Sequence, residues 1–175
     1  MKILDIKKGE VVVVIIPDKT FGRDNIEVTS QLSKDYNSIC YISLNKPYFH
    51  LIKSFEDNKI DINKLFFIDA VTKASKSDIK KLKNCIFINS ISSLTKISIS
   101  IASALESGKF GCLIFDSLST MLIYHDTVTV TKFMHSLIVT ARSFKCTTVF
   151  TCLKGNEKSP LIRDLSMFVD KIIKI

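Results

Sequence analysis

The sequence predicts an α/β fold of three layers: a mainly parallel central sheet with helices on both faces. Two observations predict it. Seven short apolar runs lack the in–out alternation of half-exposed strands, so they belong to strands covered on both sides. Helix-like segments stand between most of these runs, which makes them βαβ units. A length of 175 residues with 46% hydrophobic content suits one compact domain, 1–175, with a real core. The sequence shows no internal repeat, linker or low-complexity segment.

The first strand is "VVVVII", Val11–Ile16. Asp24 is placed to cap a helix running to about Asp35. "SICYISL" (Ser38–Leu44) is the second strand, and Pro47 can open a helix with Tyr48, Leu51, Ile52 and Phe55 on one face. "KLFFIDA" (Lys64–Ala70) and "NCIFIN" (Asn84–Asn89) are the third and fourth strands. Ser92 or Ser93 can cap the next helix, which carries Ile97, Ile101, Ala104 and Leu105 and has Gly108 placed to stop it. "GCLIFD" (Gly111–Asp116) is the fifth strand. The strongest helix spans about Thr127 to Phe144. There Val130, Phe133, Met134, Leu137, Ile138 and Ala141 form one apolar stripe, a core face. "CTTVFTCL" (Cys146–Leu153) and "DKIIKI" (Asp170–Ile175) complete the sheet.

Composition excludes several classes. The apolar run near the start is far too short to span a bilayer, and no charged-then-apolar leader is visible, so a cytoplasmic protein is expected. The five cysteines have no CxxC spacing and mostly sit in strand-like runs, as buried thiols would. The histidines, His50, His125 and His135, are too scattered for a zinc site. Net charge is +8, but the lysines are spread and no aromatic residues interleave with them, so a solvated basic surface is the plainer reading. Nucleic-acid binding stays an alternative.

The block "LIFDSLSTMLIYHDTVTVTKFMHSLIVTARSFKCTTVF" (Leu113–Phe150) resembles the Walker B strand, helix and following strand of RecA/KaiC-like ATPases, above all a divergent archaeal KaiC-like branch. "ICYISLNKPYFHLI", "LFFIDAVT", "FINSISSLTKISISIASAL" and "FVDKIIKI" agree in order, so the resemblance spans nearly the whole chain. It implies the three-layer RecA-like P-loop NTPase fold. It also implies rings or filaments with nucleotide at subunit boundaries.

Against that pattern the site residues depart twice. Relatives follow the first strand with GxxxxGK[ST], whose glycines turn backbone N–H groups toward phosphate while lysine neutralises charge and the hydroxyl holds Mg²⁺. Here the loop reads "PDKTFGRDN": Gly22 is followed by Arg23 and Asp24, and Asp18 and Asp24 bring like charge to the triphosphate's place. Lys19, Thr20, Gly22 and Arg23 can still meet a single anion at the next helix N-terminus, or form an ordinary turn. Relatives also carry paired glutamates after the second strand, one activating water. "LNKPYF" puts Asn45 and Lys46 there, and neither side chain takes a proton from water at neutral pH.

Asp116 resembles the retained Walker B aspartate, a candidate Mg²⁺ ligand, though with Ser117, Ser119 and Thr120 it can equally cap the next turn. Asp69 either borders the same site or finishes its strand. The expected function is a catalytically inactive KaiC/RecA-like domain that acts as a regulatory or adaptor protein, by self-association or contact with a protein partner. No catalytic residue and no cofactor are expected. The alternatives are a non-hydrolysing nucleotide- or anion-binding protein and a nucleic-acid-binding, recombinase-like relative.

Overall fold

The computed structural model describes residues 4–75 and 79–175. Seven strands form one sheet: β1 (Val11–Ile16), β2 (Ile39–Ser43), β3 (Leu65–Asp69), β4 (Cys85–Phe87), β5 (Cys112–Asp116), β6 (Thr147–Leu153) and β7 (Lys171–Lys174). Their order is β4-β3-β2-β5-β6-β1-β7, and every pairing is parallel. Each of the seven apolar runs therefore became a strand. The helices are α1 (Phe21–Asp35), α2 (Tyr48–Asp57), α3 (Thr72–Ser75), α4 (Leu94–Glu106), α5 (Leu118–Tyr124), α6 (Thr127–Ser143) and α7 (Pro160–Leu165).

Alternate residues of the central strands enter two cores. Val12, Val14, Tyr41, Phe67 and Ile114 pack with Val28 and Leu32 of α1 and Leu51 and Phe55 of α2. Val13, Ile15, Ile42, Phe115 and Phe150 pack on the other face with Ile97 of α4, Met134 of α6 and Leu161 of α7. All five cysteines are free and buried. Burial pushes the thiols up, to about 12 for Cys146 and about 11 for Cys152, so they behave as small hydrophobes.

Several boundaries shift. Asp24 does not cap α1: a 3₁₀ turn at Asp18–Thr20 runs directly into the helix, which begins three residues earlier, and Asp24 is buried inside its first turn. Pro17 fixes the extended entry that this turn needs. Ser93 holds the N-cap position of α4 without a side-chain capping bond, and Gly108, at φ +65°, lies just beyond its end. Asp126 caps α6 by accepting from Thr129 N–H at 2.9 Å. The short helices α5 and α7 have no counterpart in the sequence reading, and serine caps open both of them. No helix among the described residues is long and apolar enough to cross a membrane.

Candidate functional site

Parallel register brings the polar strand ends to one level. Ser43 pairs with Asp69 on one side and with Asp116 on the other. Beyond β5, β6 separates Asp116 from β1 and its following loop. Between these ends lies a crevice of about 180 Å³, lined by Phe21, Gly22, Asn25, Asn45, Lys46 and Asp116 together with residues of α5 and Leu153. Open α/β sheets hold ligands at this end of their strands.

Asp116 is only 1% exposed. The Tyr41 hydroxyl donates to its Oδ2 at 2.8 Å, and Asn45 Nδ2 donates to its Oδ1 at 2.5 Å. Burial lifts its pKa above the ordinary aspartate value, and the Tyr41 and Asn45 donors pull it partway back. The network extends both ways. Asn25 Nδ2 donates to the Tyr41 oxygen at 3.0 Å, and the Thr120 hydroxyl donates to Asn45 Oδ1. Ser117, not Asp116, caps α5 by accepting from Thr120 N–H. The Asp116–Ser117 peptide is cis.

The loop after β1 is a closed turn. Thr20 N–H donates back to Pro17 C=O at 3.1 Å, which is the hydrogen bond of a 3₁₀ turn. Asp18 Oδ1 accepts from Gly155 N–H at 3.0 Å, tying the loop to the turn after β6. The Thr20 hydroxyl donates to Asp24 at 2.5 Å, and Arg23 pairs with the same carboxylate at 2.9 Å. The Thr20 bond first, and the Arg23 guanidinium after it, hold Asp24 below the ordinary aspartate range.

Of the anion residues expected from sequence, Gly22 faces the crevice, whereas Lys19, Thr20 and Arg23 are not among the described residues lining it. Lys19 is exposed, and the Arg23 side chain is 78% exposed. Lys46 instead reaches the helix start: its Nζ lies 3.4 Å from where a Cβ on Gly22 would be. Asp69 finishes its strand structurally. It accepts from the N–H groups of Tyr48, Val71 and Thr72 at 2.6 to 2.8 Å and does not line the crevice.

Asn25 and Tyr41 escaped the sequence reading. The only signals were a polar tip inside the apolar run "ICYIS" and an amide on the helix face that packs on the sheet. Among the described residues, no three His, Cys, Asp or Glu side chains group to hold a metal.

These residues do not fit Mg²⁺ with a triphosphate. At the hydroxyl position of the loop stands Asp24, already bonded by Thr20 and Arg23. Both oxygens of Asp116 already accept protein donors.

The parallel sheet, its strand order and the crevice at its strand ends define a RecA/KaiC-like P-loop fold. Residues 27–175 match the family described as "ATPase: KaiC", and the chain belongs to that family. Two Pyrococcus horikoshii crystal structures share the fold. The KaiC-like protein PH0186 superposes with TM-score 0.68 at 11% identity, over 97% of this chain and 72% of that one. The uncharacterized protein PH0321, crystallised in complex with an unknown peptide, gives TM-score 0.72 at 16% identity, over 97% and 78%. No curated protein matches the chain.

Proposed function

We propose that this KaiC-family chain does not hydrolyse ATP and serves as a regulatory or adaptor protein through protein–protein contacts. The observation that carries this is the Asn45–Asp116 bond. An amide stands where relatives place the water-activating glutamate, and it is spent on the carboxylate that would hold the metal. Among the described residues lining the crevice, Asp116 is the only carboxylate, so no second one stands beside it as a general base. The lip of the crevice supports the contact half of the reading. Ile123, which lines it, is 78% exposed, and Tyr124 and Val128 follow as further exposed apolar side chains.

The test is phosphate release from Mg²⁺–ATP by the purified chain, alone and with the proteins it co-purifies with. Release at background supports the reading. Turnover that Asp116→Ala abolishes overturns it. Ile123→Asp should reduce co-purification of partners, or self-association, without lowering the melting temperature.

A further inference from the structure

We infer that a cavity at the opposite end of the sheet from the crevice docks an acidic segment of a protein partner, held by Lys8 and Lys145 and anchored by an apolar residue against Phe144. The cavity is lined by Lys8, Gly9, Glu10, Arg142, Lys145 and Asp170, which lie just before β1, just before β7 and at the end of α6. Its volume of about 470 Å³ falls within the roughly 300–1,000 Å³ usual for binding sites.

The charge of this cavity is unbalanced. Glu10 accepts from Lys7 N–H at 2.8 Å and pairs with Lys171 at 3.0 Å. Asp170 accepts from Val11 N–H at 2.8 Å and pairs with Arg142 at 3.1 Å. Both carboxylates thus have cations of their own. Among the described residues, neither the Lys8 nor the Lys145 ammonium has a hydrogen bond or an ion pair. The C-terminal end of α6 favours cations, which accounts for Arg142 in its last turn. It does not account for Lys8, which comes from another segment.

The backbone clasps the turns that carry the two lysines. Gly9 and Lys145 are both left-handed, at φ +83° and +51°. Gly9 N–H donates to Thr147 Oγ1 at 2.7 Å, and a Cβ on Gly9 would stand 3.8 Å from the Lys145 carbonyl oxygen. Two unpaired ammonium groups on clasped turns repel each other, and an anionic partner replaces that repulsion with attraction.

Exposed apolar side chains flank the cations. Phe144, 43% exposed, stands between Arg142 and Lys145 in the chain. Met167, 72% exposed, precedes Phe168, whose C=O accepts from Arg142 at 2.9 Å. Aromatic residues, Met and Arg are the types that interfaces favour. Together these set the partner's chemistry: carboxylates for the two lysines, with an apolar side chain beside them. A nucleic-acid strand is charged at every nucleotide and would set phosphates against Glu10 and Asp170 as well. A protein segment can place its carboxylates at the lysines alone.

The inference rests on the adaptor reading and names the partner's chemistry. Fluorescence anisotropy of a labelled decapeptide of Glu and Leu, titrated with the full chain at pH 7 and low salt, tests it. An oligothymidylate of equal charge is the competing probe. Saturable peptide binding that weakens as salt rises is expected, with the oligonucleotide weaker by about 10-fold or more. Lys8→Glu with Lys145→Glu should weaken peptide binding about 10-fold, because attraction becomes repulsion at both contacts. Lys53→Glu with Lys96→Glu makes the same change of net charge on exposed lysines of α2 and α4, and should leave binding within about twofold. Phe144→Ser should weaken it about fivefold with the salt dependence kept. Circular dichroism establishes that each variant is folded, and should Phe144→Ser not fold, Met167→Ser serves. No peptide binding, equal or tighter binding of the oligonucleotide, or equal losses from the two lysine pairs overturns the inference. ATP turnover would instead defeat the reading beneath it and would leave these titrations unchanged.

Discussion

Asn45 and Asp116, 71 residues apart in sequence, share a hydrogen bond of 2.5 Å in which the carboxamide donates to the carboxylate. By the resemblance read from sequence, the bond joins the residue expected at the family's glutamate position to the one expected at its metal position. A side chain that satisfies a buried carboxylate contributes to folding, and removing it leaves that group short of a donor.

Asn45→Ala is therefore expected to destabilise the chain by about 1–3 kcal/mol, with phosphate release from ATP at background before and after. Urea unfolding and a phosphate assay check the two halves. An unchanged midpoint would mean that the bond contributes nothing to the fold.

Tyr41 offers a sharper case. Its hydroxyl donates to Asp116 at 2.8 Å and accepts from Asn25 at 3.0 Å, all within the buried interior. Tyr41→Phe keeps the ring, which packs edge-on against Phe55 at 5.4 Å between centroids, and removes only the oxygen. Two buried polar groups then lose a partner, and a loss of about 2 kcal/mol or more is expected. A cost below about 0.5 kcal/mol, the size of a surface change, would count against the network.

Asp116 also gives stability a dependence on pH. Burial raises its folded pKa, so the native state binds this proton more tightly than the unfolded chain does. Its contribution is then greatest in acid and is lost as pH rises from the ordinary range near about 4 through the raised folded value. Asp24 and Asp170, whose carboxyls are lowered, work in the opposite direction. Comparison with Asp116→Asn isolates the aspartate. Between pH 4 and 8 the variant should gain on the parent chain, with the difference level once Asp116 is fully ionised. Urea titrations at a series of pH values measure it, and a difference that stays flat or runs the other way contradicts the assignment.

The strands were legible because burial on both faces leaves an unbroken apolar run, as in Val11–Ile16 and Cys112–Asp116. The start of α1 was not, because the 3₁₀ turn after Pro17 hands over to the helix with no capping side chain to mark the join. Helices of seven and six residues, α5 and α7, are too short to show a period. Ser159 followed by Pro160 was nevertheless a readable start signal. In the site, Asp116, Gly22 and the absence of glutamate at Asn45 could be read from local sequence. The link from Asn25 through Tyr41 to Asp116 could not, since the register of β2 against β5 creates it. Lys46 was noted as a residue unable to serve as a base. Only the fold shows its ammonium beside Gly22.

Gly22 separates a structural glycine from a phosphate-cradling one. It is the second residue of α1, and a methyl group there would meet Lys46 Nζ alone, at 3.4 Å, the free end of a flexible chain. In a phosphate cradle glycine is needed because the backbone itself approaches the anion. Here the helix gains from alanine by roughly 0.5–1 kcal/mol. Gly22→Ala should therefore raise the melting temperature by about 1–4 °C for a chain of this size. The same methyl comes within ordinary contact of the lysine's free end, which can give way at little cost. Thermal melting of the parent chain and the variant measures the rise. A variant that melts lower would mean that the start of α1 needs glycine itself, as a cradle would.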